Sequence, residues 1–290
     1  MTHRAAAAAL VALAIVVPAA RGAGPEAPPP PGDFLSDYQK PATADYDIYY
    51  EELLRRGFLQ SVTAELNRVL RLPTPLTLRT AECGHSTTTY SVETHVVTVC
   101  YEFLDAVLAI AGEAAPVRAH AEQLFSGAVT FALLREVGEA ITGMYALPAP
   151  QGAGVAGDEF AAITLAAAER NGDPSAAAAV EFFDAALAEP DSGFEYLETH
   201  GFDRPRLETV ACILYGNAPA NHAAALERGT VPKARAPGCA EEVVAVATRW
   251  DRFLRPHMRE SAPAPEAAPP APARHLGSAA TRRPGDRAVA

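Results

Sequence analysis

The sequence predicts a mostly helical, α+β fold, and three observations support that prediction. About half of the 290 residues are apolar, many of them alanine, and only 7% are aromatic. Alanine favours helices and contributes little buried surface, so this composition is typical of helix packed on helix. Long segments repeat apolar residues at the helical period, and only two short segments are strand-like. We therefore expect a helical domain with a small antiparallel β element.

The first residues have the organisation of a secretory signal peptide. His3 and Arg4 precede an unbroken apolar run over residues 5–17, and small residues follow around a potential cleavage point. A charged start followed by an apolar run too short to span a bilayer is typical of such signals. We therefore interpret residues 1–23 as a signal peptide and expect a periplasmic or secreted protein. No later segment has the roughly 20 apolar residues of a membrane span, so stable membrane insertion is not expected.

Both ends of the mature chain have the composition of unfolded segments. Residues 24–33 are rich in proline, and residues 259–290 are rich in alanine and proline without periodicity. Such segments cannot bury a core. Between them, residues 34–258 contain no Pro/Gly-rich linker long enough to separate two domains. The simplest organisation is a single domain over residues 34–258.

The charge of the chain narrows the classes of partner. The formal net charge is −11, and no basic run interrupts it. Binding to nucleic acid or to an anionic membrane surface needs clustered positive charge. Neither partner is therefore expected.

The first predicted elements are a helix and two strands. Residues 49–70 place leucine, valine and phenylalanine close to the helical period, and Leu72 and Pro73 end the run. The strand-like segments are residues 76–79 and 95–99. We expect a helix followed by a strand pair.

Two further helices follow the strand pair. Residues 102–112 carry an apolar stripe, and a longer run covers residues 117–145. The long run is apolar almost all round between Leu124 and Leu134. Because a helix without a polar face belongs in the middle of a protein, we expect residues 117–145 to form the central helix.

The four cysteines indicate disulfides, because an exported chain meets an oxidising compartment. Three pairings are possible for Cys83, Cys100, Cys212 and Cys239. Cys83 and Cys100 bracket the strand-like sequence, and Cys212 and Cys239 lie together in the C-terminal part, so we favour sequential pairing. A four-thiolate zinc site is the rival hypothesis, but such sites usually contain close cysteine pairs. These spacings do not fit it.

Three ionisable residues lie at the end of the apolar run in the central helix. Arg135, Glu136 and Glu139 occur where burial should be deepest, and an unpaired buried charge is costly. Arg135 and Glu139 are four residues apart and can form a salt bridge on one helical face. Taken alone, this spacing indicates a structural salt bridge and does not point to an activity.

Several short segments across residues 49–257 resemble a known family in their order and spacing. They are Leu72-Pro73, Cys83-Gly84 with Tyr90, Cys100-Tyr101-Glu102, Leu147-Pro148, residues 158–162, His200-Gly201-Phe202-Asp203, residues 212–219, residues 232–235, and Cys239, Trp250, Leu254 and Pro256. The family consists of bacterial exported proteins described as putative metallopeptidases and otherwise as a domain of unknown function. The resemblance implies a zincin-like domain.

The resemblance also implies a zinc site on the central helix. In that family the helix carries His-Glu-x-x-His, where two imidazoles one turn apart hold the metal and the Glu takes a proton from metal-bound water. A third ligand is the Glu of a later Glu-x-x-x-Asp stretch, whose Asp orients a ligand histidine. These roles are carried over by the resemblance and not by spacing alone.

Here the family pattern runs without gaps over residues 131–158, with Leu147-Pro148 as the register mark. The two histidine positions are Arg135 and Glu139, and the third ligand position is Gly154. Arginine cannot donate a lone pair to a metal, and glycine has no side chain. The base position, Glu136, and the outer carboxylate position, Asp158, keep acidic residues. We therefore predict no bound metal and no cofactor, although zinc is expected in the family.

The replacements suggest a role for the arginine. Without zinc, Glu136, Glu139 and Asp158 would be three carboxylates in need of compensation, and a guanidinium suits carboxylates well. Arg135 would then stand in for the metal's charge. This hypothesis places Arg135 nitrogens within hydrogen-bonding distance of Glu139 or Asp158.

His200 is one further candidate for the site, because it belongs to the shared pattern. A histidine near the cleft could stabilise an oxyanion or bind a substrate carboxylate, and the alternative is a hydrogen-bonded structural histidine. No two histidines in the folded region are three or four residues apart on one predicted helix. Other enzyme motifs, such as a Gly-x-Ser-x-Gly elbow or a phosphate-binding glycine loop, are absent from the sequence.

Three functions remain open at the level of sequence. The first is a noncatalytic pseudopeptidase whose former cleft binds a peptide or protein. The second is an active hydrolase with an unrecognised metal site or none. The third is a structural exported protein with a closed cleft, tethered by its proline-rich tail.

Overall fold

A computed structural model of the chain describes residues 32–115, 117–149, 151–189 and 193–259. The strands are β1 (Phe34–Tyr38), β2 (Leu76–Ala81), β3 (Thr88–Ser91) and β4 (Val96–Cys100). The helices are α1 (Asp47–Arg56), α2 (Phe58–Val69), α3 (Tyr101–Ala114), α4 (Arg118–Met144), α5 (Ala153–Glu169), α6 (Ser175–Ala188), α7 (Glu195–His200), α8 (Arg204–Asn217), α9 (Ala223–Arg228) and α10 (Cys239–Leu254). The predicted fold class, mostly helical α+β, is confirmed.

The sheet is larger than the sequence predicts, and it is mixed. Its strand order is β1-β2-β4-β3, with β1 and β4 both parallel to β2 and only β3 antiparallel to β4. The two strand-like segments are β2 and β4, and they pair in parallel with Thr77 opposite Val96. An antiparallel β element is therefore present only as the β3–β4 hairpin. The patterns do not predict β1 or β3, because both strands are short and neither alternates apolar and polar residues.

The first predicted helix is two helices in the structure. Helix α1 ends at Arg56 and α2 begins at Phe58, with Gly57 between them at φ +62°. This left-handed conformation costs glycine little and stops a helix by turning its last amide back onto the preceding turn. The Gly57 amide accordingly donates to the carbonyls of Leu53 and Leu54.

Helix α4 is the central helix, as predicted. Every residue from Gly127 to Gly138 is buried, and the helix contacts α3, α5, α6 and β3. Two glycines permit close packing of its neighbours. A Cβ on Gly127 would lie 2.6 Å from the Ala179 amide nitrogen in α6, and one on Gly138 would lie 2.7 Å from the Phe160 Cβ in α5.

Two disulfides are present, with the pairing that the sequence analysis favours. Cys83–Cys100 joins the segment after β2 to the end of β4, and Cys212–Cys239 joins α8 to the start of α10. In the chain-entropy account, each bond limits the freedom of the unfolded chain. The first also fixes the loop beside the central helix.

The described residues belong to one compact unit that ends at Arg259. The predicted signal peptide (1–23) lies outside the described residues, as do most of the proline-rich segment (24–33) and of the tail (259–290). The domain boundaries stay predictions. Within the described ranges, no helix combines the length and the apolar character needed to cross a membrane.

Candidate functional site

The candidate site is built around three ionisable residues on α4. The side chains of Arg135 and Glu136 are 2% and 1% exposed, and that of Glu139 is 21% exposed. Helix α4 runs through this segment without a break, so Arg135 and Glu139 share one face, one turn apart. A buried charge is tolerated only when it is paired and hydrogen-bonded. The groups that pair with Arg135 therefore determine whether its buried charge is compensated.

The Arg135 guanidinium contacts all three carboxylates of the cluster. Its Nη1 donates to Glu136 Oε1 at 2.6 Å, and its Nη2 donates to Glu139 Oε1 at 2.5 Å. Its Nε lies 3.2 Å from Asp158 Oδ1, a close ion pair in which neither atom has a well-aligned hydrogen bond. The Arg135 nitrogens thus lie within the distances of Glu139 and Asp158 that the hypothesis requires, and the replacement of a metal stays a prediction. The guanidinium is surrounded by acidic groups.

Helix α5 crosses α4 at this point and supplies Gly154 and Asp158. The crossing is close, because a Cβ on Gly157 would lie 2.6 Å from the Arg135 carbonyl oxygen. A Cβ on Gly154 would lie 3.0 Å from Arg135 Nη2 and 3.4 Å from Glu139 Oε1. Positions 135, 139 and 154 therefore surround one small volume, which the Arg135 guanidinium reaches.

A second arginine, from α8, completes the cluster. Arg206 Nε donates to Asp158 Oδ2 at 2.6 Å, and its Nη2 donates to the Gly154 carbonyl oxygen at 3.0 Å. The third nitrogen, Nη1, donates to the His200 carbonyl oxygen. Two guanidinium groups thus face three carboxylates. Arg206 is not predicted from the sequence, because nothing in its local pattern distinguishes it from a surface arginine of α8.

His200 borders the cluster from α7. Its Nε2 lies 3.0 Å from the Thr88 carbonyl oxygen, which can only accept, so Nε2 carries the proton. Its Nδ1 then accepts from Arg135 Nη1 at 2.7 Å. Burial, with the positive charge of Arg135, lowers the pKa of His200 to about 3. The imidazole is neutral near pH 7, and both of its nitrogens are engaged.

Burial raises the pKa of the two retained acids, Glu136 and Asp158, whereas it lowers the pKa of His200. It raises the pKa of Glu136 to about 7 and that of Asp158 to about 6. Arg135 opposes the shift at Glu136, and Arg206 and Arg135 oppose it at Asp158. Thr88 Oγ1 also donates to Glu136 Oε1 at 3.0 Å. Glu136 therefore exchanges its proton near neutral pH.

Tyr196 is another residue that the sequence analysis misses. Its ring packs 4.5 Å from the His200 ring, between centroids. Its hydroxyl is buried without a hydrogen-bond partner among the described residues. Burial raises the pKa of this phenol, so it stays protonated.

These residues do not fit a zinc ion. A guanidinium cannot coordinate a metal, Gly154 offers no side chain, and Glu139 and Asp158 already pair with arginines. The only close set of three metal-ligand side chains in the described ranges is Cys83, His85 and Cys100. The sulfurs of that set are joined in a disulfide.

Comparison with known proteins gives one match. A family model described as "Putative metallopeptidase" matches residues 38–254. No curated protein and no solved structure matches the chain. The matched region includes Arg135, Glu136, Glu139, Gly154 and Asp158.

Proposed function

Because the chain belongs to the putative metallopeptidase family, we propose that it is an exported, noncatalytic member whose zinc ligands have been replaced. In this proposal the domain is zincin-like, and the Arg135 guanidinium takes the place of the metal ion. Export rests on the charged and apolar organisation of residues 1–23.

One observation carries the proposal. The three positions that the family pattern assigns to zinc ligands lie on two different helices, yet they converge. A side chain begun at Gly154 would meet Arg135 Nη2 at 3.0 Å and Glu139 Oε1 at 3.4 Å. A correct register predicts this convergence, because three ligands of one ion must meet at a point. In this chain the Arg135 guanidinium, a cation that forms no coordination bonds, lies at the place where these positions converge.

The charges of the cluster support the same proposal. Glu139 stands at a histidine position, so this chain adds one carboxylate to the retained Glu136 and Asp158. Arg135 and Arg206 bring two positive charges, which pair with Glu139 and Asp158. Removing a metal from a buried acidic pocket would leave uncompensated charge, which costs several kcal/mol per ion, and paired guanidinium groups offset that cost. The replacement keeps the pocket folded without keeping its chemistry.

The retained acid is idle in this proposal. Glu136 occupies the base position, but it accepts from Arg135 Nη1 at 2.6 Å and from Thr88 Oγ1 at 3.0 Å. A general base must contact the proton that it removes, and here the carboxylate oxygen already contacts two donors. We assign Glu136 and Asp158 to the charge balance of the cluster.

A role in binding is favoured over a purely structural role. A small pocket of about 80 Å³ lies beside the start of α5, next to the Arg135 cluster in sequence, and is lined by Pro148, Ala149, Gln151, Gly152, Val155, Ala156, Glu159 and Arg249. It combines apolar groups with one ion pair, Arg249 with Glu159, and can receive one side chain of a bound peptide or protein. The expected partner is a peptide or protein at the former cleft.

The test combines zinc analysis with a rescue variant. The parent chain, purified with zinc present, should contain no stoichiometric zinc and hydrolyse no peptide. The triple variant R135H/E139H/G154E should bind one zinc ion, because it restores two imidazoles and a carboxylate at converging positions. Removing the Arg135 guanidinium also frees the space that a longer side chain at position 154 needs. Elemental analysis gives the metal content, and a mixed peptide library gives the hydrolysis.

The matched control is the double variant R135H/E139H, which retains Gly154. It should bind zinc more weakly than the triple variant, by about tenfold or more, because one ligand is missing. Stoichiometric zinc in the parent would overturn the proposal and support an active hydrolase with an unrecognised metal site. Equal zinc affinity in the double and triple variants would contradict the register at Gly154.

A further inference from the structure

A second group of metal-ligand side chains comes from the loop between β2 and β3, which supplies Cys83 and His85, and from the end of β4, which supplies Cys100. One ligand atom from each of Cys83, His85 and Cys100 lies within 4.8 Å of the other two. The two sulfurs are bonded to each other. His85 makes no hydrogen bond or ion pair with the described residues, so its imidazole is free to turn.

We propose that reduction of the Cys83–Cys100 disulfide creates a metal site for a thiolate-preferring cation such as Zn²⁺, with Cys83, Cys100 and His85 as ligands. Two thiolates and an imidazole are typical zinc donors, and three protein ligands leave the fourth position to water. This inference does not depend on the loss of the zinc ligands, but in an exported chain it requires a dithiol reductant in the compartment that the chain reaches. It concerns residues that the family's zinc helix does not include.

The loop is held by contacts that do not depend on the disulfide. The Glu102 carboxylate accepts from the amides of Cys83 at 3.0 Å and Gly84 at 2.6 Å. The Ser86 amide donates to Glu195 Oε2 at 2.7 Å, and the Cys100 amide donates to the Thr87 carbonyl oxygen at 3.3 Å. The ligands therefore stay near one another after the S–S bond is broken.

One backbone feature places His85 beside the sulfurs. Gly84 has φ +79°, a conformation that glycine adopts readily and that turns the chain sharply. The turn folds the residue after it back towards Cys83.

The reduction step balances with a dithiol reductant. The dithiol loses two electrons and two protons and becomes a disulfide, and the Cys83–Cys100 bond breaks to give two thiols. Zn²⁺ then displaces both thiol protons to solvent and forms two Zn–S bonds, while a ring nitrogen of neutral His85 donates its lone pair. Two thiolates neutralise the ion. Cys100 is the N-cap residue of α3, where the helix dipole favours negative charge.

The distances require small movements. With Zn–S bonds of about 2.3 Å and Zn–N bonds of about 2.0 Å, the ligand atoms of a tetrahedral site lie about 3.5–3.8 Å apart. The present separations reach at most 4.8 Å. The sulfurs move apart when their bond breaks, and a rotation of His85 closes the remaining gap.

The test uses the full mature chain with and without reduction. After treatment with a small dithiol and its anaerobic removal, the reduced chain should gain one zinc ion that the oxidised chain lacks. Co²⁺ should give a sulfur-to-cobalt charge-transfer band. The variant His85→Ala should bind zinc about tenfold or more weakly, and His120→Ala, which changes a histidine paired with Glu181, should bind as the parent does.

A double variant separates the two disulfides. Cys83→Ala/Cys100→Ala retains Cys212 and Cys239 and should gain no zinc on reduction. Zinc uptake that persists in this variant, or His85→Ala binding as tightly as the parent, overturns the proposal. Loss of the native far-ultraviolet circular dichroism on reduction also overturns it, because the site needs the folded loop.

Discussion

The side chain of Arg135 is 2% exposed, yet every nitrogen of its guanidinium faces a partner. Glu136 and His200 lie at Nη1, Glu139 lies at Nη2, and Asp158 lies at Nε. Breaking a buried ion pair by removing one partner is costly because the other partner stays buried and charged. Arg135 should therefore be among the most important polar residues for stability.

The variant Arg135→Met tests this expectation. Methionine keeps most of the volume and removes the charge, leaving Glu136, Glu139 and Asp158 with only Arg206. The free energy of unfolding should fall by about 3–5 kcal/mol, measured by urea denaturation. Arg118→Met on the same helix removes an exposed i,i+4 partner of Glu122 and should cost at most about 0.5 kcal/mol. Equal effects of the two substitutions would show that the buried cluster does not stabilise the fold.

A pH-dependent prediction follows from Glu136. Burial raises its pKa from 4.5 to about 7, so the folded chain holds a proton that the unfolded chain has released between these values. The contribution to stability is therefore present below about pH 4.5 and is lost as the pH rises to about 7. The variant Glu136→Gln cannot titrate. Its stability relative to the parent should increase over this pH range, by about 3 kcal/mol at most.

Comparison with the parent isolates Glu136 from the other groups of the cluster. Asp158 also has a raised pKa and His200 a lowered one, but both are shared by parent and variant, as are Arg135, Arg206 and Glu139. If the stability difference between Glu136→Gln and the parent did not change with pH, the raised pKa of Glu136 would be contradicted.

At this scale, the sequence predicts the part of the site that lies within one short segment. Arg135, Glu139, Gly154 and Asp158 are related by helical spacing and by the family pattern. Arg206, Tyr196 and Thr88 come from other elements, and only the folded chain brings them to Arg135. No local pattern marks a residue whose partner lies that far away in sequence.

At the scale of elements, the crossing of α4 and α5 positions the cluster. Gly138 and Gly157 lie at the contact, and a Cβ on Gly138 would lie 2.9 Å from Gly157 Cα and 2.7 Å from Phe160 Cβ. The close approach brings Asp158 to Arg135. A wider crossing would leave the guanidinium and the carboxylate apart.

The variant Gly138→Ala tests that crossing. The added methyl group should push α5 away and destabilise the chain by about 1–3 kcal/mol, despite the better helix propensity of alanine. Gly143→Ala is the matched control on α4, because a Cβ there meets nothing within 4 Å. It should stabilise the chain by up to about 1 kcal/mol. Both free energies of unfolding can be measured by urea denaturation, and a stabilising Gly138→Ala would contradict the close contact.

The elements also show where sequence patterns stop being informative. The apolar surface of α4 predicts its central position, because burial on all sides leaves a continuous apolar run. The division of residues 49–70 into two helices depends on the φ of one residue, Gly57, which periodicity does not reveal. Strands β1 and β3 form because β2 and β4 provide neighbours for them, not because their own sequences are strongly strand-like.

At the scale of the whole molecule, the sequence predicts the fold class and the pairing of the cysteines, and the structure agrees with both. Composition decides the first, because alanine-rich periodic segments form packed helices. The arrangement of the sheet is not predicted, because parallel pairing joins strands that are distant in sequence. The charge cluster depends on the whole fold, because α4, α5, α7, α8 and β3 all contribute residues to it.

We propose that positions 135, 139 and 154 surround the place where the family pattern would hold a metal and where this chain holds a guanidinium. Anomalous scattering at the zinc edge, from crystals of the parent and of R135H/E139H/G154E grown with zinc, tests it most directly. The triple variant should show one peak about 2.0–2.2 Å from the three introduced side chains, and the parent should show none among Arg135, Glu139 and Asp158. A zinc peak at that place in the parent, or a peak in the triple variant that does not contact residue 154, would contradict the account.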